Sequence, residues 1–176
     1  FDLNMLAGSG YLAEFLGSGN TEAMENLTRQ FLFVASQRRI YDQIRFIDQK
    51  GMEVARINSG LDGQSTTVAT SSLQNKAGRN YFKEAIGLSE GEFYISRFDL
   101  NVEQGEVETP HKPMIRFAAP VFDAQGRKRG VVVLNYLGAV MLEYIRDVFK
   151  NSGNSVYLID QDGYFLLSPF QDETWA

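Results

Sequence analysis

The chain of 176 residues contains no cysteine. That excludes disulfide frameworks, thiol nucleophiles and Cys-based metal sites together. Its one histidine, His111 in "TPHKP", has no second His and no acidic neighbour at ligand spacing, so no metal site is expected. No run of about 18 apolar residues occurs, so nothing reads as membrane-spanning. The start, "FDLNMLAGSG", has neither the charged n-region nor the long apolar core of a signal peptide. It also lacks an initiator Met, so the chain is expected to be part of a longer one. Positive excess is missing too. The 17 basic residues stand against 22 acidic ones, a net charge of −5, which argues against a nucleic-acid partner. The basic run Arg127-Lys128-Arg129 falls in a turn and reads as a solvated cluster.

Catalytic signatures are absent as well. There is no G-x-x-x-x-G-K, no G-x-G-x-x-G after a strand and no G-x-S-x-G elbow. The many carboxylates form no recognisable acid/base pair. "DQDG" at 160–163 spaces two acids as a calcium loop does, but its Gly comes too early and no Glu closes the loop. Neither an enzymatic activity nor a cofactor is expected of this segment.

What is present is a 44% hydrophobic, 22% charged composition, which is globular and large enough for a sizeable core. Apolar residues at helical spacing predict helices over 3–16 and from about 21 to 39, the second with Thr21 as a plausible N-cap. Then the period changes. "YDQIRFID" alternates, placing Ile44 and Phe46 on one face and Gln43 and Arg45 on the other. After a Gly-containing turn, "MEVARIN" supplies Met52, Val54 and Ile57, and the two runs read as a hairpin.

Residues 59–72 are polar and Gly-rich and read as loop. Asn80 opens a short helix ended by Gly87. "GEFYISRFDLN" reads as one strand and its exit. "VEQGEVETPHKP" reads as a polar loop that prolines keep out of sheet pairing. "MIRFAAPVFD" and "GVVVLNYLG" are apolar on nearly every residue, so both faces of their sheet should be covered. "AVMLEYIRDVFK" predicts a helix with the stripe Met141, Leu142, Ile145, Val148 and Phe149, and "SVYLIDQDGYFLLSP" a last hairpin. The whole is an α+β, PAS-like pattern: a central antiparallel sheet of about five strands flanked by helices, behind a long N-terminal helical stalk.

A short phrase recurs. "IDQKG" at 47–51 returns as "IDQDG" at 159–163, with a looser "VFDAQG" at 121–126. Asp and Gly at this spacing satisfy a tight turn. Both full copies follow a long helix and open a sheet, as equivalent turns of two modules would.

Polar residues interrupt elements that should face inward. Arg79 and Tyr81 open the short helix, Tyr94 and Ser96 alternate along the next strand, and Arg116 and Asn135 break two apolar strands. A buried polar group costs about 1–3 kcal/mol unless partnered. Arg116 and Asn135 must bond to each other, to backbone, to water or to a bound small molecule. A satisfied internal network is one reading. A pocket for a small polar or anionic ligand is the other, since Arg suits a carboxylate and Tyr and Ser set orientation.

The blocks "YDQIRFIDQKGMEVARIN", "LQNKAGRNYFKEAI" and "GEFYISRFDLN … MIRFAAPVFDAQGRKRGVVVLNY" resemble, in order and spacing, the double-Cache (tandem PAS-like) sensor domains of bacterial receptors. In particular they look like the group found on sensor histidine kinases and GGDEF-type diguanylate cyclases. The resemblance covers about 41–176. It implies a periplasmic or extracytoplasmic location, transmembrane helices flanking this chain and a cytoplasmic kinase or cyclase output outside it.

The resemblance also implies a division into a stalk (1–40), a membrane-distal sensor module (41–137), a connecting helix (138–154) and the start of a truncated membrane-proximal module (155–176). Amino-acid-binding members carry a Tyr, then Arg-x-Trp-Tyr, then a later Asp. Here Arg79 matches the Arg, Tyr81 stands for the Trp, Phe82 for the Tyr, and Gln74 where the first Tyr belongs. Arg79 and Tyr81 are therefore the leading pocket residues. The expected partner is a small molecule, and a homodimer through the N-terminal helices is the alternative basis for signalling.

Overall fold

The computed structural model describes residues 1–60, 63–103, 106–170 and 174–175, with no account of the Glu103 side chain. In chain order the elements are α1 (Asp2–Ala7), α2 (Gly10–Ser18), α3 (Thr21–Arg38), β1 (Tyr41–Asp48), β2 (Glu53–Ser59), β3 (Ser65–Thr67), α4 (Asn80–Gly87), β4 (Tyr94–Ile95), β5 (Asp99–Leu100), β6 (Val102–Glu103), β7 (Glu106–Val107), β8 (Pro113–Phe122), β9 (Lys128–Leu137), α5 (Gly138–Phe149), β10 (Leu158–Ile159) and β11 (Phe165–Leu167). They form two compact units, one of residues 1–97 and 115–136, the other of 98–114 and 137–176.

The first unit is built on an antiparallel sheet of order β3-β2-β1-β9-β8-β4. One face packs against α1–α3: Leu6, Leu12, Leu27 and Phe31 meet Ile44, Phe46, Ile57, Val132 and Leu134. The other face carries Ile47, Ala118, Val131 and Val133, which pack with Tyr81, Phe82 and Ala85 of α4. Each large side chain so buried contributes about 1.5–3 kcal/mol. Two covered faces are what the continuous apolar runs of β8 and β9 require.

Three details of this unit depart from the sequence expectation. The helix expected over 3–16 is two helices, because Ser9 leaves the helical path and its Oγ accepts from Leu12 N at 3.1 Å as an N-cap. The α3 cap is Asn20, whose Oδ1 accepts from Ala23 N at 2.8 Å, one residue before the expected Thr21. The segment expected as loop over 59–72 contains β3, paired to β2 through Ser59↔Ser65, Asn58↔Thr66 and Ile57↔Thr67.

The second unit holds β5 on the start of β8, a β6–β7 ladder, α5 and a β10–β11 hairpin. The expected single strand over "GEFYISRFDLN" is thus two short ones, β4 and β5. The polar loop after it does form pairs, Val102↔Val107 and Glu103↔Glu106, and Pro113 pairs with Leu100 as the first residue of β8, where a missing N–H is tolerated. On α5 only Leu142 of the expected stripe is buried, and Val148 and Phe149 are exposed.

The recurring phrase is one turn made three times. Asp48 Oδ1 accepts from Lys50 N and Met52 N, Asp123 Oδ1 from Gln125 N and Arg127 N, and Asp160 Oδ1 from Asp162 N and Tyr164 N, all at 2.8–3.0 Å. The glycines that close these turns, Gly51, Gly126 and Gly163, all have positive φ.

Candidate functional site

A polar cluster lies on the α4 face of the first unit's sheet, and its centre is Arg45. The Arg45 side chain is 3% exposed, and its NH1 donates to the Tyr81 hydroxyl at 3.0 Å. Its NH2 donates to Asn135 Oδ1. Its guanidinium lies 5.2 Å from the Tyr81 ring centroid, and that of Arg116 lies 5.9 Å from it. Arg–aromatic contacts at these distances are attractive. Cross-strand register explains the convergence: Arg45 pairs with Arg56 and Val133, and Gln43 with Asn135, so Arg45, Arg56 and Asn135 share one face.

Glu53 completes the cluster. Its side chain is fully buried, with Oε2 accepting from Arg56 NH1 and from Gln74 N, both at 3.0 Å. Its Oε1 faces Arg45 NH1 at 3.5 Å. A β-bulge brings it there. Phe46 pairs with Ala55 but Ile47 pairs with Glu53, leaving Val54 as the extra residue. Val54 and Ala55 therefore both turn to the helix side, and Glu53 turns to the α4 side.

The segment before α4 is fastened to the same place. Glu53 N donates to Gln74 O at 3.0 Å, Lys76 N donates to Gly51 O at 2.6 Å, and the buried Lys76 extends its Nζ to Gln74 Oε1 at 2.6 Å. At the other end of α4, Lys128 Nζ donates to Ile86 O and Leu88 O at 2.6 and 2.7 Å. A lysine thus occupies the negative end of the helix. The basic run read as solvated is therefore engaged throughout, since Arg127 and Arg129 both pair with Asp123. Burial pushes the Asp123 carboxyl up, but N–H groups and the guanidinium of Arg127 hold it at about 2.

Of the six residues singled out from sequence, Tyr81 and Asn135 meet at Arg45, and Arg116 lies against the Tyr81 ring. Tyr94 packs against the apolar cluster beneath α4. The Ser96 hydroxyl is engaged with backbone, accepting from Arg116 N at 2.9 Å and donating to Arg97 O at 2.7 Å. Arg79 is the exposed N-cap residue of α4.

Arg45, Glu53 and Arg56 were not singled out. The signal for Arg45 was the coverage of both sheet faces, which turns the polar face of β1 inward too. The signal for Glu53 was the odd spacing of Val54 and Ile57. Residues three apart cannot share a face of a regular strand.

A separate groove of about 420 Å³ lies on the outer side of the N-terminal helices, lined by Met5, Tyr11, Asn26, Arg29, Phe33 and Val34 among others. Met5, Tyr11 and Phe33 are exposed.

An antiparallel sheet with long helices on one face, and a short helix roofing a polar cluster on the other, defines a PAS-like sensory domain. The chain belongs to the bacterial histidine kinase sensor domain family, whose model matches residues 2–176. Solved structures share the fold. A domain of a sensory box/GGDEF family protein from Vibrio parahaemolyticus is 23% identical with a TM-score of 0.85, over 98% of this chain and 64% of that one. The sensor domain of the V. cholerae histidine kinase DctB is 18% identical with a TM-score of 0.68, over 99% and 59%. The ligand-binding domain of the Campylobacter jejuni chemoreceptor Tlp3, solved with L-valine, is 12% identical with a TM-score of 0.63, over 97% and 61%. The chain thus spans about three fifths of the length of these domains. No curated protein matches it. No helix among the described residues is long and apolar enough to cross a membrane.

Proposed function

We propose that this chain is the signal-reading, extracytoplasmic part of a transmembrane receptor, and that a small polar or anionic molecule binds on the α4 face of the sheet. The observation that carries this reading is the buried Arg45 guanidinium, held between Tyr81 and Asn135 with Arg116 on the Tyr81 ring. Arg79, Tyr94 and Ser96 complete the proposed lining, with Arg79 at the exposed opening of α4. In this reading residues 41–137 are the membrane-distal module and 155–176 begin a membrane-proximal one. Output is through a cytoplasmic histidine kinase or diguanylate cyclase. Binding signals only if the ligand prefers one of two states, so the ligand must change how α4 or the N-terminal helices pack. A metabolite screen by thermal shift tests it. The expected result is a ligand that raises the melting temperature, with the shift reduced in Arg79→Ala and Arg116→Ala. A broad screen with no shift, together with intact signalling in Arg79→Ala, sinks the reading.

The groove on α1–α3 favours a second reading, a ligand-independent dimer formed through the N-terminal helices. The absence of native cysteine makes the test clean. Phe33→Cys should form a disulfide-linked dimer under mild oxidation, whereas Phe93→Cys, an exposed site away from the groove, should not.

A further inference from the structure

Glu53 sets a buried carboxylate beside the Arg45 guanidinium. Its two oxygens are held unequally. Oε2 takes an Arg56 N–H and the Gln74 N–H, each at 3.0 Å. Oε1 is buried, has no hydrogen-bond donor among the described residues, and faces Arg45 at 3.5 Å. Arg45 Nε is likewise buried without an acceptor among the described residues. A guanidinium with unused donor capacity and a buried carboxylate oxygen with unused acceptor capacity thus meet as an ion pair at 3.5 Å without a hydrogen bond, a costly arrangement in a core. The β-bulge at Val54 is what creates it, because regular pairing would turn Glu53 to the opposite face.

We propose that Glu53 is an internal counter-anion for Arg45, a specificity-determining residue that competes with an incoming anion for that guanidinium. The proposal rests on the reading that Arg45 belongs to a ligand site, and adds what sets the charge of that site. While Glu53 faces Arg45, the guanidinium is partly neutralised and a weak anion gains little there. An anion that wins Arg45 leaves Glu53 to Arg56 and Gln74 N. Because Gln74 leads directly into the segment fastened beneath α4, occupancy at Arg45 and the position of α4 are joined through one side chain.

The probe is sodium acetate against a sodium chloride control of equal ionic strength, with binding followed by amide chemical shifts. Glu53→Gln keeps the shape and an acceptor for Gln74 N but removes the charge, and should bind acetate at least tenfold more tightly than the native chain. That gain should vanish in Arg45→Gln/Glu53→Gln. A residue with only a structural role would lower stability without raising anion affinity. Glu53→Asp, which retracts the carboxylate by one methylene, carries the test if Glu53→Gln does not fold. It too should bind acetate more tightly than the native chain. Equal or weaker acetate binding by the folded variant, or a gain that persists without Arg45, overturns the proposal. The sensing reading fails separately, on a metabolite screen of the native chain that shifts nothing.

Discussion

Arg45 on β1 donates to the amide oxygen of Asn135 on β9, and both side chains are buried. The same guanidinium reaches Tyr81 of α4, so one cation ties two central strands to the helix above them. Asn135→Ala should cost about 2 kcal/mol, because it strands a buried guanidinium N–H. Arg45→Met should cost more, about 3 kcal/mol, because it also takes away one of the two cations that face the buried Glu53 carboxylate, the other being Arg56. Urea denaturation of both variants checks the order. Equal costs would mean that Glu53 does not depend on Arg45.

Lys128 is the tether of α4. Its ammonium caps two carbonyls at the end of that helix, and Lys128→Met keeps the stem while removing the donors. The expected loss is about 1–2 kcal/mol. Hydrogen exchange should quicken first in α4. Exchange that quickens evenly through the sheet and α4 would contradict a local tether.

Gly51 and Gly126 occupy the same place in the same turn, yet differ in surroundings. Both have positive φ, +85° and +70°. A Cβ on Gly51 would lie 2.5 Å from Ala77 Cβ, whereas one on Gly126 would meet nothing within 4 Å. Gly126→Ala should cost about 1 kcal/mol from backbone strain alone. Gly51→Ala should cost about 3 kcal/mol, since the segment leading into α4 must move away. Thermal melts of the two variants decide it.

Asp2 links α1 to the start of β1. Arg38 NH2 and the Tyr41 hydroxyl donate to its two oxygens at 2.7 and 2.9 Å. Burial works to raise the Asp2 carboxyl, but those hydrogen bonds and the Arg38 charge hold it below its usual 3.8. Burial, then the bond to Asp2, pushes the Tyr41 hydroxyl well above its ordinary value, so it stays a donor. A depressed folded-state value means that the stabilisation is complete above 3.8 and is lost as pH falls through the folded value. Asp2→Asn should therefore be less stable than the native chain by about 1 kcal/mol at neutral pH. The difference should close in strong acid. A difference that stays constant as pH falls below 3.8 would place the effect in packing rather than charge.

The fold class was legible because its causes are local. Helical and alternating periods, Asp–Gly turns and the doubly apolar runs of β8 and β9 each follow from which neighbours a residue has along the chain. The candidate site was half legible. Arg116 and Asn135 announced themselves as polar residues in apolar strands, and Tyr81 by its place at the opening of α4. Arg45 did not, because alternation placed it on the polar side of β1, and the mark that this side is covered lies in other strands, the apolar runs of β8 and β9. Arg79, picked by motif position, stands exposed at the opening of α4.

By itself the sequence determined the longer helices and strands, the two-faced sheet, the thrice-used turn and the lack of any catalytic signature. Only the tertiary structure decided that Arg45 is the centre, that Lys128 holds α4, and that a bulge at Val54 turns Glu53 toward the cations. Those outcomes depend on register and on which helix lies over which face. They are set by pairing between strands as far apart in the chain as β1 and β9, where a single extra residue reverses the direction of every side chain beyond it.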